Sequence, residues 1–161
     1  MILSTIKAIA ESLTSPVTFF YGTNFEANLA ADDFNGKLFP LIVFEDQFTL
    51  TDTYNQAGVA TTSVPLTLLF LDNEPEKTGY DTNAFQSEPI ILRMIALARK
   101  FVLTLQQNEI MSPTENIENA TFTRVRHYYD TSMSGCMLQV TAPLNMTIDY
   151  CVDDVTVNEC L

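Results

Sequence analysis

Residues Phe122 to Val140, FTRVRHYYDTSMSGCMLQV, gather most of the reactive side-chain types in this chain. The stretch holds two of the eight basic residues, the only histidine, two tyrosines, an aspartate and a cysteine. A histidine and a cysteine could form a nucleophilic dyad, the imidazole accepting the thiol proton, or supply two ligands to zinc. A structural zinc takes four ligands, and Cys151 and Cys160 lack ligand-pair spacing. A nucleophilic cysteine also needs an electropositive, partly exposed setting. At the period of two that a strand imposes, one face carries Phe122, Arg124, Arg126, Tyr128 and Asp130, the other Thr123, Val125, His127 and Tyr129. TSMSG then supplies a turn, and CMLQVTAP places Cys136, Leu138, Val140 and Ala142 on one apolar face. The expected structure is a hairpin with one face in the core. Its Arg124–Arg126–Tyr128 face is a contact surface for an acidic neighbour, and a small enzyme using His127 and Cys136 is the alternative.

Other chemistry is sparse. The five glycines form neither GxGxxG nor GxxxxGK[ST], so a phosphate-cradling loop is not expected, and there is no GxSxG elbow or HExxH helix. Asp72, Glu74 and Glu76 alternate in an acidic stretch that superficially suggests calcium. The turn glycine and the later bidentate glutamate of an EF-hand are missing, which favours a solvated acidic loop. A weak cation site between subunits of an oligomer stays open. No cofactor and no resident metal are expected.

A chain of 161 residues is most simply one domain. At this size roughly 70% of the unfolded surface is buried on folding, and 47% hydrophobic residues suffice for a core without disulfides. The formal net charge of −12 leaves no basic footprint for duplex DNA. Such a surface instead repels DNA that passes nearby. Three widely spaced cysteines without CxxC read as free thiols of a reducing compartment. The N-terminal MILSTIKAIAESLTSP is too polar for a secretory signal, and no stretch approaches the ~20 apolar residues of a membrane span. A soluble, cytosolically made protein is expected.

The elements that must position these residues follow from periodicity. Ile2, Ile6, Ile9 and Leu13 make one helical stripe, ended by Pro16. Val17 to Tyr21 reads as a short strand, and KLFPLIVFED as a buried strand whose Pro40 hints at an edge or bulge. FTLTDTY and VATTSVPLTLLFLD form a long hairpin with its tip near Asn55 to Gly58. Residues 72–87 read as an acidic loop, closed by Ser87 as a helix cap. The ~18-residue helix that follows buries Ile90, Ile91, Met94, Ile95, Ala98, Phe101, Val102 and Leu105, and leaves Arg93, Arg99, Lys100 and Gln107 mostly outside. Helix, strands, helix, strands gives an α+β domain over residues 1–145, its helices packed on a small antiparallel or mixed sheet. Residues 146–161 are left as an extension or arm.

This order resembles the tail terminator (tail completion) and head–tail joining proteins of long-tailed bacteriophages and prophages. The resemblance spans roughly residues 1–145 and is carried by FLD with its acidic loop, ARKFVLTLQ, and SGCMLQV. It implies a non-enzymatic virion protein of the tail or neck, assembled in the host cytoplasm. Such proteins form a homo-oligomeric ring, commonly a hexamer, that caps the tail tube and joins it to the head connector. Genomic DNA would pass through the lumen without specific binding, and no membrane partner is implied. Candidate interface residues are the basic set Arg93, Arg99, Lys100, Arg124 and Arg126 with Tyr128, against acidic Asp72, Glu74 and Glu76. The hairpin tip, Tyr54, Asn55 and Gln56 within Thr51 to Thr62, could dock on the tube. Another portal-adjacent neck ring, or an adaptor outside any virus, are the rival readings.

Overall fold

In the computed structural model, residues 2–23, 39–46, 48–54, 60–73, 84–128 and 133–145 are described, with the backbone alone at 60, 84–86, 127 and 128. The hairpin tip, most of the acidic stretch and the extension 146–161 lie outside them. The fold is α+β: among the described residues, a mixed six-stranded sheet and two helices. α1 spans Ile2–Leu13 and buries Ile6, Ile9, Ala10 and Leu13 on the expected stripe, with Lys7 and Glu11 exposed as an i, i+4 pair. β1 (Thr18–Gly22) and β2 (Leu41–Glu45) run parallel, Thr18 opposite Leu41. β3 (Thr51–Tyr54) and β4 (Ala60–Asn73) form the first hairpin, Tyr54 opposite Ala60. α2 spans Ala84–Gln106; β5 (Ala120–Tyr128) and β6 (Met133–Asn145) close the chain as an antiparallel pair. The spatial order is β1-β2-β4-β6-β5, with β3 also on β4.

The sheet's two faces differ, because alternate side chains of a strand point to opposite sides. One face carries Ile42, Phe44, Val64, Leu66, Leu68 and Phe70 with Cys136, Leu138 and Val140. Both helices cover it through Ile6, Ile9, Met94, Ala98, Phe101 and Leu105. The Phe70 and Phe101 rings meet edge to face at 5.9 Å. The other face has a smaller apolar cluster at the Asp72 end, built on Leu41, Val43, Leu69, Leu71, Val125 and Met133.

The β1–β2 pair is parallel, so of the two sheet types expected the mixed one is present. Other expectations are corrected. Pro40 marks no edge: it stands just before β2, outside the ladder, and its carbonyl accepts the Thr18 N–H at 3.0 Å, while β2 lies between β1 and β4. Residues Ser134 and Gly135 belong to β6, not to a turn. α2 begins three residues before Ser87, with Pro89 one turn inside. Pro89 removes a single N–H close to the start, where the helix ladder has hardly begun, so the helix runs through it. Ser87 is therefore not the cap. Its hydroxyl accepts from Arg126 Nε at 3.3 Å.

Candidate functional site

The five basic residues expected to form a free patch are each engaged within the chain. Arg124 pairs with Glu88, and Arg126 donates to Ser87, both in the first turns of α2. They therefore point to the helix-covered face of the sheet, as does Phe122, which packs on the main core. Arg99 lies over the Phe122 ring, its Cζ 5.6 Å from the centroid. Val125, on the opposite side of β5, is buried in the second cluster. The alternation read from sequence is thus present, with its sides exchanged: the arginine side meets a helix. Tyr128 lies at the end of β5, after an irregularity in the ladder between Val125 and Tyr128.

Arg93 and Lys100 both border an open space. Both line a cleft of about 470 Å³ between the end of α1, the start of β2 and the middle of α2. Thr14, Ser15 and Pro16 form one wall, Phe39 and Pro40 the floor at the sheet, and Met94, Ala96 and Leu97 the helix side. The Ser15–Pro16 and Phe39–Pro40 peptides are both cis. Asp72 is not a loop residue. It ends β4 only 9% exposed, its carboxylate held by Arg93 and by the Asn73 N–H at 2.7 Å. Burying a carboxylate is tolerated here because both oxygens have donors. Lys100 Nζ donates to the Leu13 carbonyl at 2.8 Å, which closes the C-terminus of α1, where the helix dipole favours a cation. The volume falls within the ~300–1,000 Å³ of ligand pockets, with the mostly apolar lining and few convergent polar groups such sites show.

At the other end of the sheet the first hairpin is polar. Thr51, Asp52, Thr53 and Tyr54 are all exposed, and Asp52 ties the hairpin by accepting from Thr62 Oγ1 at 2.6 Å and from Tyr54 OH at 3.2 Å. Tyr54 is 69% exposed. Asn55, Gln56, Glu74 and Glu76 lie outside the described residues. Among the described residues no group of three His, Cys, Asp or Glu could hold a metal, and no helix is long and apolar enough to cross a membrane. Buried Asp46 Oδ1 has no hydrogen-bond partner among them, but a lone carboxylate oxygen makes no site.

Cys136 lies in the main core opposite Arg124 of β5, with no exposed surface. Burial pushes its thiol from 9.0 up to about 12, so at neutral pH it is protonated and a poor nucleophile. A thiol reagent is expected to label Cys136 only in denaturant, as read by peptide mass spectrometry. The same shift sets a pH dependence. Above pH 9 the unfolded chain releases this proton while the folded chain keeps it until about pH 12. Stability falls across that window by ~1.4 kcal/mol per pH unit from this group. Urea melts should show the wild type losing its advantage over Cys136→Ala as pH rises; a constant difference would refute the assignment.

Compared with models of known protein families and with curated protein sequences, the chain matches none.

Proposed function

We propose that this chain is a structural subunit of a tailed bacteriophage or phage-like particle, a ring-forming tail terminator or neck component that joins the tail tube to the head connector. The observation that carries the reading is the order of elements: helix, long hairpin, acidic stretch, amphipathic helix and closing hairpin, gathered on one mixed sheet with both helices on one face. A small mixed sheet with flanking helices is the coarse architecture the resemblance implies, and it supports the reading. The net charge of −12 supports it as well, since a ring of such subunits presents a negative lumen through which DNA slides. The sealed, protonated Cys136 weakens the enzymatic alternative.

The internal engagement of Arg124, Arg126 and Arg99 narrows where one subunit would touch the next. A heterologous ring needs two different patches on each subunit. The polar hairpin at one end of the sheet and the cleft beside Arg93 and Lys100 at the other are two such surfaces. Particles assembled without this protein are expected to carry abnormally long tails, or tails separated from heads, in electron micrographs. Normal tails on intact heads would sink the proposal, as would native mass spectrometry showing only monomer, alone and with tube or neck partners.

A further inference from the structure

From the cleft bordered by Arg93 and Lys100, we infer that it receives the C-terminal segment, residues 146–161, of a second copy of this chain; the inference rests on the ring reading. Three observations carry it. First, the chemistry matches. MTIDYCVDDVTVNECL has no basic residue and four acidic ones, Asp149, Asp153, Asp154 and Glu159. Met146, Ile148, Tyr150 and Val152 recur at a period of two, so in extended form apolar side chains would share one edge, and Asp149, Asp153 and Glu159 would lie on the other. The cleft offers the complement: an apolar bed of Phe39, Pro40, Met94 and Leu97, with two cations about two helical turns apart. Among the described residues, the carboxylate in the cleft is that of Asp72, already neutralised by Arg93. Lys100 spends one of its three donors on Leu13 and keeps the others for an incoming carboxylate.

Second, the positions are opposed. Asn145, where the segment departs, lies opposite Thr61 at the hairpin end of β4, whereas Asp72 of the cleft lies opposite Ser134 at the other end. Eleven ladder steps separate them, about 36 Å at ~3.3 Å per residue. A segment leaving one end and a receptor at the opposite end make a head-to-tail contact, which is the kind that propagates into a closed ring. Third, sixteen residues reach at most ~55 Å. That is enough to cross a subunit boundary, while occupying the chain's own cleft would require the segment to reverse and run back about 36 Å along the sheet.

The full-length chain carries its own probes for the test. Cys151 and Cys160 lie in the segment, and Cys136 is sealed in the core. Ala96→Cys places a thiol on the cleft lining, and Leu103→Cys places one on the same helix at a side chain 64% exposed and outside the cleft. With a short bismaleimide, Ala96→Cys is expected to give covalent dimers and larger species joined through Cys151 or Cys160. Leu103→Cys should give several-fold less. Ser15→Cys, on the facing wall, should form the same link, which guards against a defect peculiar to position 96. Adding Lys100→Glu to Ala96→Cys should lower the linked fraction several-fold while circular dichroism stays unchanged. Linkage no greater than at position 103 in a chain that native mass spectrometry shows to be oligomeric would overturn this inference and leave the ring reading standing. Products of single-chain mass would overturn the exchange between copies. A chain that is only ever monomeric removes the ring reading itself.

Discussion

Gly135→Ala is expected to cost more stability than any other single methyl group added to this chain. Gly135 sits within β6, between Leu71 of β4 and Val125 of β5. A Cβ built there collides with the Phe70 carbonyl oxygen and comes within 2.9 Å of its carbon and 3.1 Å of Leu71 Cα. These are backbone atoms, so no rotamer change relieves the clash. β4 is fixed by β6 on one edge and by β2 on the other, and Phe70 and Leu71 are fully buried on opposite faces of the sheet. Overpacking a core ordinarily costs ~1–3 kcal/mol. A rigid backbone obstacle should exceed that range, a large fraction of the ~5–15 kcal/mol that holds a domain together. Thermal melts followed by circular dichroism should show a midpoint lowered by at least ~6 °C, at ~2–4 °C per kcal/mol for a domain this large. Thr141→Ala, at an exposed position of the same strand, should shift it by no more than a degree or two. A Gly135→Ala protein that melts with the wild type would show that the two strands separate without penalty, contrary to the register described above.

Phe101→Ala should be the most damaging truncation. Phe101 is fully buried in the C-terminal third of α2, its ring edge-on to Phe70 of β4. It packs in the cluster that joins both helices to the sheet. Removing a buried phenyl ring loses its transfer free energy and leaves a cavity, together ~3–5 kcal/mol. Leu103→Ala, two residues along and mostly exposed, should change stability by less than ~0.5 kcal/mol. Chemical denaturation midpoints of the two variants give the comparison directly. Equal losses would mean that α2 does not present the described face to the sheet.

The two positions also differ in how readable they are. Phe101 stands on a 3.6-residue stripe running from Ile90 to Leu105, and a pattern that long can only be a helix buried along one side. The stripe of α1 and the alternation of β4 and β6 are legible for the same reason. Gly135 looks like a turn residue because Thr131, Ser132, Ser134 and Gly135 are all small or polar. Its real constraint, the Phe70 carbonyl, lies 65 positions earlier in the chain, beyond anything local pattern can register. The arginines show a second limit. Period-two reading separates Arg124 and Arg126 from Val125 correctly, but which side faces a helix depends on where α2 lands. Glu88 and Ser87 there offer partners that hold the exposed arginine face of β5 against the start of α2. The parallel pairing of β1 with β2 is hidden likewise, since nothing local marks Thr18 as the partner of Leu41. The cleft is the least legible of all: Pro16, Phe39, Asp72 and Lys100 come from four separate segments.

The long central strand has a mechanical meaning. From Thr61 to Asn73 β4 is paired with β6 without a break, while its other edge is shared, β3 holding Thr51 to Tyr54 against Ala60 to Ser63 and β2 holding Leu41 to Phe44 against Leu68 to Leu71. Its hydrogen bonds lie across the strand axis. A pull on the hairpin along that axis therefore loads the whole β4–β6 ladder in shear, and the bonds must fail together instead of opening one at a time. The hairpin is in effect the exposed end of a stiff rod anchored along the full length of the sheet, able to carry tension or compression from its tip into the body of the subunit.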